Sequence, residues 1–208
     1  VGSEMCIRDS GNIVSPTDRQ RLNNLANQEW HSDSSFKKIP SKMSILSAKM
    51  IPSLGGNTEF LSMRASYNAL PQELKLKIDD KICWHDYSHG RSKIDPNLVT
   101  PEEKQALPPV KQKLVLSDNK HGKSLYLGAH CRNVDGMSEN DSNALLAEIN
   151  SYIDTEKFIY SHVWEPFDLI MWDNRAVLHR ATPIKGKIEK RLMVRTTVAG
   201  QTSTINEY

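Results

Sequence analysis

His31 and Asp33, in the run Trp30-His31-Ser32-Asp33, are the strongest local signal for chemistry in the chain. In an extended segment residues i and i+2 point the same way, so an imidazole nitrogen and a carboxylate oxygen can meet one ion. A lone H-x-D is a weak motif and needs a third ligand from a neighbouring strand. His179 is the candidate: it lies 146 residues beyond Asp33 and follows the apolar run Leu169-Ile170-Met171-Trp172. Two histidines and one carboxylate form the facial set that holds non-haem Fe(II) and leaves coordination positions open. Taken alone, His179 reads more readily as a satisfied histidine at a barrel edge.

A second pattern lies close to the C-terminal end. From Lys190 to Val198, period-2 alternation puts Arg191, Met193, Arg195 and Thr197 on one strand face and Leu192, Val194, Thr196 and Val198 on the other. One face is expected to pack against an apolar layer; the other carries two permanent charges. If the charged face is a barrel interior, both guanidiniums need anionic partners, because unpaired buried charge is very costly. Their forks suit bidentate carboxylates. If that face is in solvent, the pattern carries no site, and alternation alone leaves both options open.

The elements that must position these residues are mostly strands. Met43 to Ile51, Thr58 to Met63 after the Gly55-Gly56-Asn57 turn signal, Val110 to Leu116 and Ser124 to Leu127 read as strands. So do Phe158 to Trp164, a buried run from Asp168 to Trp172, and Lys190 to Val198. Pro71 opens a helix with Leu74, Ile78 and Ile82 on its apolar face. Thr100-Pro101-Glu102-Glu103 has capping-box spacing inside the polar segment from Ile94 to Pro109, and Ser138 caps a helix buried along Leu145, Leu146, Ile149 and Ile153. Residues 11–27 are polar and irregular or loosely helical. Irregular strand–helix alternation argues against a doubly wound sheet and for a mainly β chain, a jelly-roll-like barrel with flanking helices outside it.

Composition narrows the class further. With 27 basic and 25 acidic residues the net charge is +2, too balanced for a dedicated nucleic-acid binder. No apolar run approaches the ~20 residues of a membrane-spanning helix. Cys6, Cys83 and Cys131 form no CxxC pair and fit reduced, buried thiols in a cytoplasmic protein. Residues 1–10, VGSEMCIRDS, have no apolar signal region and read as a non-native or disordered leader, leaving 11–208 as a single domain. Two further motifs are set aside. His85-Asp86-Tyr87-Ser88-His89 mimics a zinc-protease spacing, but its acid is Asp, and Ser88 and Gly90 disfavour a helix. Gly122-Lys123-Ser124 ends like a P-loop, but Ser117 stands where the first glycine belongs. Lys111-Gln112-Lys113 and Lys185-Gly186-Lys187 read as solvated charges.

Together these residues resemble the taurine dioxygenase (TauD/TfdA) family of Fe(II)/2-oxoglutarate-dependent oxygenases. The stretches that carry the resemblance are Asn27 to Phe36, Gly55-Gly56-Asn57-Thr58-Glu59-Phe60, Met171-Trp172-Asp173-Asn174-Arg175 leading to His179-Arg180-Ala181-Thr182, and the R-x-M-x-R of Arg191 to Arg195. Around His31 and Thr58 the wording is most similar to the branch that degrades phenoxyacetate herbicides. The resemblance implies a double-stranded β-helix (a cupin-like jelly roll) with His31, Asp33 and His179 as iron ligands. It implies that Thr58 and Arg191 hold the distal carboxylate of 2-oxoglutarate. Arg195 would hold the acidic group of the primary substrate, with His130 a further pocket residue. The implied reaction consumes O2 and 2-oxoglutarate, releases succinate and CO2, and hydroxylates a small anionic organic substrate: an aryloxy- or alkyl-carboxylate, or a sulfonate. No nucleic-acid or membrane partner is expected, and a homo-oligomer is compatible.

The chain departs from the family pattern in three places. Asn57 stands where an Asp is common, the loop between His179 and Arg191 is about one residue longer than usual, and a front segment that relatives carry before H-x-D is expected to be missing. The competing expectation is a non-catalytic jelly-roll fragment that binds metal or anion without turnover.

Overall fold

The computed structural model describes residues 2–5, 19–153, 156–184 and 191–206. Cys6, Lys185-Gly186-Lys187 and residues 11–18 of the polar stretch lie outside the described residues. The strands are β1 (Gly2–Met5), β2 (Ser41–Met50), β3 (Thr58–Ser62), β4 (Ile82–His85), β5 (Val110–Lys113), β6 (Val115–Asp118), β7 (Gly122–Leu125), β8 (Cys131–Val134), β9 (Ile159–His162), β10 (Leu169–Asp173), β11 (Val177–Ala181) and β12 (Leu192–Ala199). The helices are α1 (Arg19–Ala26), α2 (Met63–Ala69), α3 (Gln72–Ile78), α4 (Tyr87–Ser92), α5 (Pro101–Ala106) and α6 (Glu139–Ile153). The segment expected as a leader contributes backbone at Gly2–Met5, which pairs with β12.

Two antiparallel sheets face each other. One has strand order β1-β12-β2-β10 and the other β11-β3-β9. Strand period places Thr58 and Phe60 on the same face of β3, and the pairing of His179 with Phe60 adds His179 to that face. There Phe60 packs with Leu46, Ala48, Trp172 and Met193 from the four-stranded sheet. The opposite face of the three-stranded sheet carries Leu61 and Leu178. They join a larger core with Met63 of α2, Leu74 and Ile78 of α3, and Leu145, Ile149 and Ile153 of α6. A second three-stranded sheet, β5-β4-β8, and the β6–β7 hairpin complete the mainly β chain with its flanking helices.

Several expectations hold. α5 begins with a complete capping box between Thr100 and Glu103, α6 buries the stripe read from its apolar period, and Cys83 and Cys131 are free and buried. Others are corrected. α3 ends at Ile78 and Ile82 opens β4, where pairing with Lys113 replaces the third position of the expected helix face. Val110 to Leu116 is two strands, because the backbone of buried Leu114 bonds to Lys81 and Tyr126 and turns the chain from one sheet into another. Residues 87–92 are helical after all. Asp86 caps them by accepting the Ser88 N–H, and Gly90 is there because a Cβ would lie 2.8 Å from the Ala129 carbonyl oxygen. Leu169-Ile170-Met171-Trp172 is not a buried run: Leu169 and Met171 are exposed and Trp172 is buried, because only one face of β10 packs against the facing sheet. In β12 the inward face is the Arg-Met-Arg face, with Met193 wholly buried, and Thr196 and Val198 on the apolar-patterned face are exposed.

This layering sets where truncation costs stability. Ile149→Ala should lower unfolding free energy by about 2–5 kcal/mol through lost burial and a residual cavity. Leu169→Ala should change it by no more than about 0.5 kcal/mol. Urea unfolding of both variants checks the ranking, and equal losses would contradict the assignment of the two faces.

Candidate metal centre

A backbone bridge brings the two histidines together. The His31 N–H donates to the His179 carbonyl at 3.1 Å and the His179 N–H donates to the His31 carbonyl at 2.9 Å. A reciprocal pair of this kind sets two antiparallel residues side by side with their side chains on one face. The rings lie 4.2 Å apart between centroids. The Ala181 N–H extends the contact to the Asn27 carbonyl. Gly128 permits the approach of the 127–130 loop behind this bridge. It has φ +124, and a Cβ there would stand 2.9 Å from the Trp30 oxygen and 3.3 Å from the His31 Cα.

Asp33 completes the group. Its Oδ1 is 4.0 Å from His31 Nε2 and its Oδ2 is 3.6 Å from His179 Nε2. Among the described residues this is the one group of three or more His, Cys, Asp or Glu side chains whose donor atoms converge, all within 4.8 Å of one another. All three residues are buried. His31 Nδ1 lies 2.7 Å from the Glu29 carbonyl, which can only accept, so Nδ1 carries the proton and Nε2 keeps a lone pair for an ion.

The protonation states suit a cation. Burial, then the neighbouring His31, pushes His179 down to about 3, so its ring is neutral at pH 7. Burial would raise Asp33, but His179, the Arg195 guanidinium, His31 and the Ser44 hydrogen bond outweigh it and hold the carboxyl at about 2. Neutral imidazole and ionised carboxylate are the forms that bind divalent metals. The donor set therefore fits the ion that the sequence motif suggests.

The remaining sequence candidates fall into three places. Thr58, Arg195, His31, His179 and Trp172 line one small pocket. Thr58 Oγ1 accepts the Trp164 indole N–H at 3.0 Å, so its own proton is left to donate. Arg195 Nη1 donates to Asp33 Oδ1 at 2.8 Å, so the anion its charge demands is the candidate ligand itself. Arg191 is buried with its Nε close to Gly56, 3.5 Å from where a Cβ would stand, two residues before Thr58. His130 is separate: it lines a different pocket with His31 and Arg91, its ring is 6.5 Å from His31, and it packs on Phe36 at 4.8 Å. Two residues missed in the sequence are Ser44 and Asn174, both buried and hydrogen-bonded to Asp33. Asn174 stands inside a quoted motif; Ser44 gives no signal on its strand. His85 of the zinc-protease mimic is wholly buried and stacked on Tyr126 at 5.4 Å, and takes no part in the converging group.

Facing antiparallel sheets with a buried, converging His-Asp-His group define a mainly β protein with a candidate facial metal site. The sequence as a whole matches the taurine catabolism dioxygenase TauD, TfdA family over residues 7–197, and the chain belongs to that family. It is 36% identical over 189 residues to the alpha-ketoglutarate-dependent 2,4-dichlorophenoxyacetate dioxygenase of Cupriavidus pinatubonensis, covering 90% of this chain and 66% of the relative. Identity is 29% over 203 residues to the (S)-phenoxypropionate/alpha-ketoglutarate-dioxygenase of Sphingobium herbicidovorans, covering 93% and 70%. The chain thus spans just under two thirds of the first of these relatives. Among solved structures, AAD-2 in complex with Mn(II) and N-oxalylglycine superposes with a TM-score of 0.91 at 40% identity, covering 98% of this chain and 75% of that one.

Two measurements follow from this geometry. Gly128→Ala should drive a Cβ into the Trp30–His31 backbone and weaken Mn(II) binding by at least about tenfold, as loss of supporting contacts does at metal sites; isothermal titration reads it, and unchanged affinity would remove Gly128 from the site. His85, pushed down to about 3 by burial, protonates more easily unfolded than folded. Its contribution to stability is complete above pH 6.5 and is lost as pH falls from there towards 3. His85→Phe should flatten the fall of unfolding free energy over pH 6 to 4 by up to about 1.4 kcal/mol per pH unit. Parallel curves for parent and variant in urea would show equal protonation in both states.

Proposed function

We propose that the chain is a non-haem Fe(II)/2-oxoglutarate-dependent dioxygenase that hydroxylates a small anionic organic substrate and releases succinate and CO2. The observation that carries this is the buried group of two neutral-capable imidazoles and one ionised carboxylate, opening on a pocket that also holds Thr58 and Arg195. The two facing sheets are the halves of a double-stranded β-helix, within one oxygenase domain over residues 11–208, and the enzyme works in the cytoplasm.

In this reading His31, Asp33 and His179 hold the metal. Iron bound there, with O2, supplies the oxidation that decarboxylates 2-oxoglutarate and hydroxylates a substrate C–H. The protein does the rest. Thr58 donates its free hydroxyl proton to the distal carboxylate of 2-oxoglutarate, and Arg191 adds a permanent charge from the buried side. This fixes the co-substrate before reaction and converts its encounter into an oriented one. Arg195 spends one guanidinium nitrogen on Asp33; its remaining donors face the substrate's carboxylate or sulfonate. His130 closes the substrate side from the next pocket. Relatives named for phenoxyacetate and phenoxypropionate favour an aryloxy-carboxylate over a sulfonate as the anion.

Coupled turnover tests the assignment. Purified chain given Fe(II), 2-oxoglutarate, O2 and a panel of aryloxy-carboxylates should form succinate and free phenol in equal amounts, because hydroxylation at the carbon bearing the ether oxygen gives a hemiacetal that expels the phenol and leaves an oxo-acid. Metal binding with no succinate across the panel would favour the non-catalytic alternative. Arg191→Ala should raise the 2-oxoglutarate requirement by about 10–100-fold, the worth of a lost hydrogen bond to a charged group, and leave the substrate requirement unchanged. Arg195→Ala should do the reverse at saturating iron. Equal effects of the two changes on both ligands would overturn these roles.

A further inference from the structure

Asn174 sits in the tight turn between β10 and β11, is 1% exposed, and uses every polar group it has. Its side-chain oxygen accepts the Trp172 indole N–H at 3.0 Å and the Asp33 backbone N–H at 3.3 Å. Both partners can only donate, so the amide orientation is forced, and the amino group must face Ser44. Nδ2 donates to Ser44 Oγ at 2.7 Å. The Ser44 hydroxyl, already accepting, has one proton left, and it goes to Asp33 Oδ2 at 2.6 Å. The Asn174 backbone closes the ring: its carbonyl accepts the Ser32 hydroxyl at 2.8 Å and its N–H donates to the Lys42 carbonyl at 2.9 Å.

The result is a directed chain, Trp172 to Asn174 to Ser44 to Asp33, that ends in a short charge-assisted bond on the carboxylate. It joins β10, β2 and the H-x-D segment, the three pieces of backbone that meet behind Asp33. On the other oxygen Arg195 supplies a second donor. We propose that Asn174 is a positioning residue for Asp33. Acting through Ser44, it sets the rotation of the carboxylate between His31 and His179 and thereby the affinity of the site for a divalent metal. This rests on the reading that His31, Asp33 and His179 hold that metal.

Mn(II) titration of the metal-stripped full chain, followed by the loss of the free-ion electron paramagnetic signal, tests it. The variants are Ser44→Ala, Asn174→Ala, their double, Ser44→Thr and Asp33→Ala, each checked by thermal melting. Ser44→Ala and Asn174→Ala should each weaken Mn(II) by about 10–100-fold, the usual worth of a group supporting a metal ligand. The double variant should be no weaker than the worse single, because both break one chain. Ser44→Thr, which keeps the hydroxyl, should restore binding. Affinities within about twofold of the parent, with Asp33→Ala losing the metal, would overturn the positioning role and leave the metal site standing. Full binding by Asp33→Ala would overturn both. Additive losses in the double variant would show independent action and refute the relay through Ser44. Should Asn174→Ala fail to fold, Ser44→Ala with its threonine rescue decides the question.

Discussion

The reciprocal backbone pair between His31 and His179 is the constraint on which the rest depends. It ties a turn-rich segment near the start of the described chain to β11, deep in the second half. Two reciprocal hydrogen bonds, at 3.1 and 2.9 Å, set the two histidines side by side. β11 is in turn held on its other edge by β3, which brings Thr58 opposite Ala181. One strand therefore registers the two imidazoles and the co-substrate candidate together. Gly128 is the cost of this arrangement, since the loop behind His31 passes too close for any side chain.

Charge is balanced within the converging donor group itself. A buried carboxylate is unfavourable unless several donors meet it. Asp33 has the Ser44 hydroxyl on one oxygen and the Arg195 guanidinium on the other. Arg195 is only half-buried, and the same contact pairs its charge. Burial meanwhile keeps His179 neutral. Two opposed environments thus act on neighbouring groups: the carboxyl is held ionised and the imidazole unprotonated, the combination a divalent cation requires.

How much of this was legible in the sequence follows from how local each signal is. H-x-D was readable as a short motif, but not for the reason expected: only His31 is bridged to a strand, and Asp33 reaches the same point from a turn. The R-x-M-x-R alternation showed that two charges share a face but not which way it looked; the inward direction comes from Met193 meeting Leu46 and Phe60, contacts from other strands. Leu169 and Met171 misled because a run of apolar residues says nothing of whether both faces of its strand are covered. Ile82 misled because a four-residue period continues past a helix end that polar Asp79 and Asp80 already mark. Ser44 was invisible, since a serine on a strand acquires a role only when Asn174 and Asp33 arrive from distant parts of the chain.

The same residues also explain why the motif around Asn174 is compact. Trp172, Asn174 and His179 lie within eight positions, yet they serve three layers: the indole packs between the sheets, the amide bonds to Ser44 and the Asp33 backbone, and the imidazole joins the converging donor group. A tight turn makes this possible, because the Asp173 side chain accepts the Arg175 N–H and reverses the chain directly after Trp172. β10 and β11 then leave in different sheets. The turn is thereby the hinge point of the sandwich, and a polar residue at its centre can satisfy buried donors from both sides at once. A longer connection would separate the amide from the indole, and Ser44 would lose the donor whose orientation is fixed by groups that can only donate.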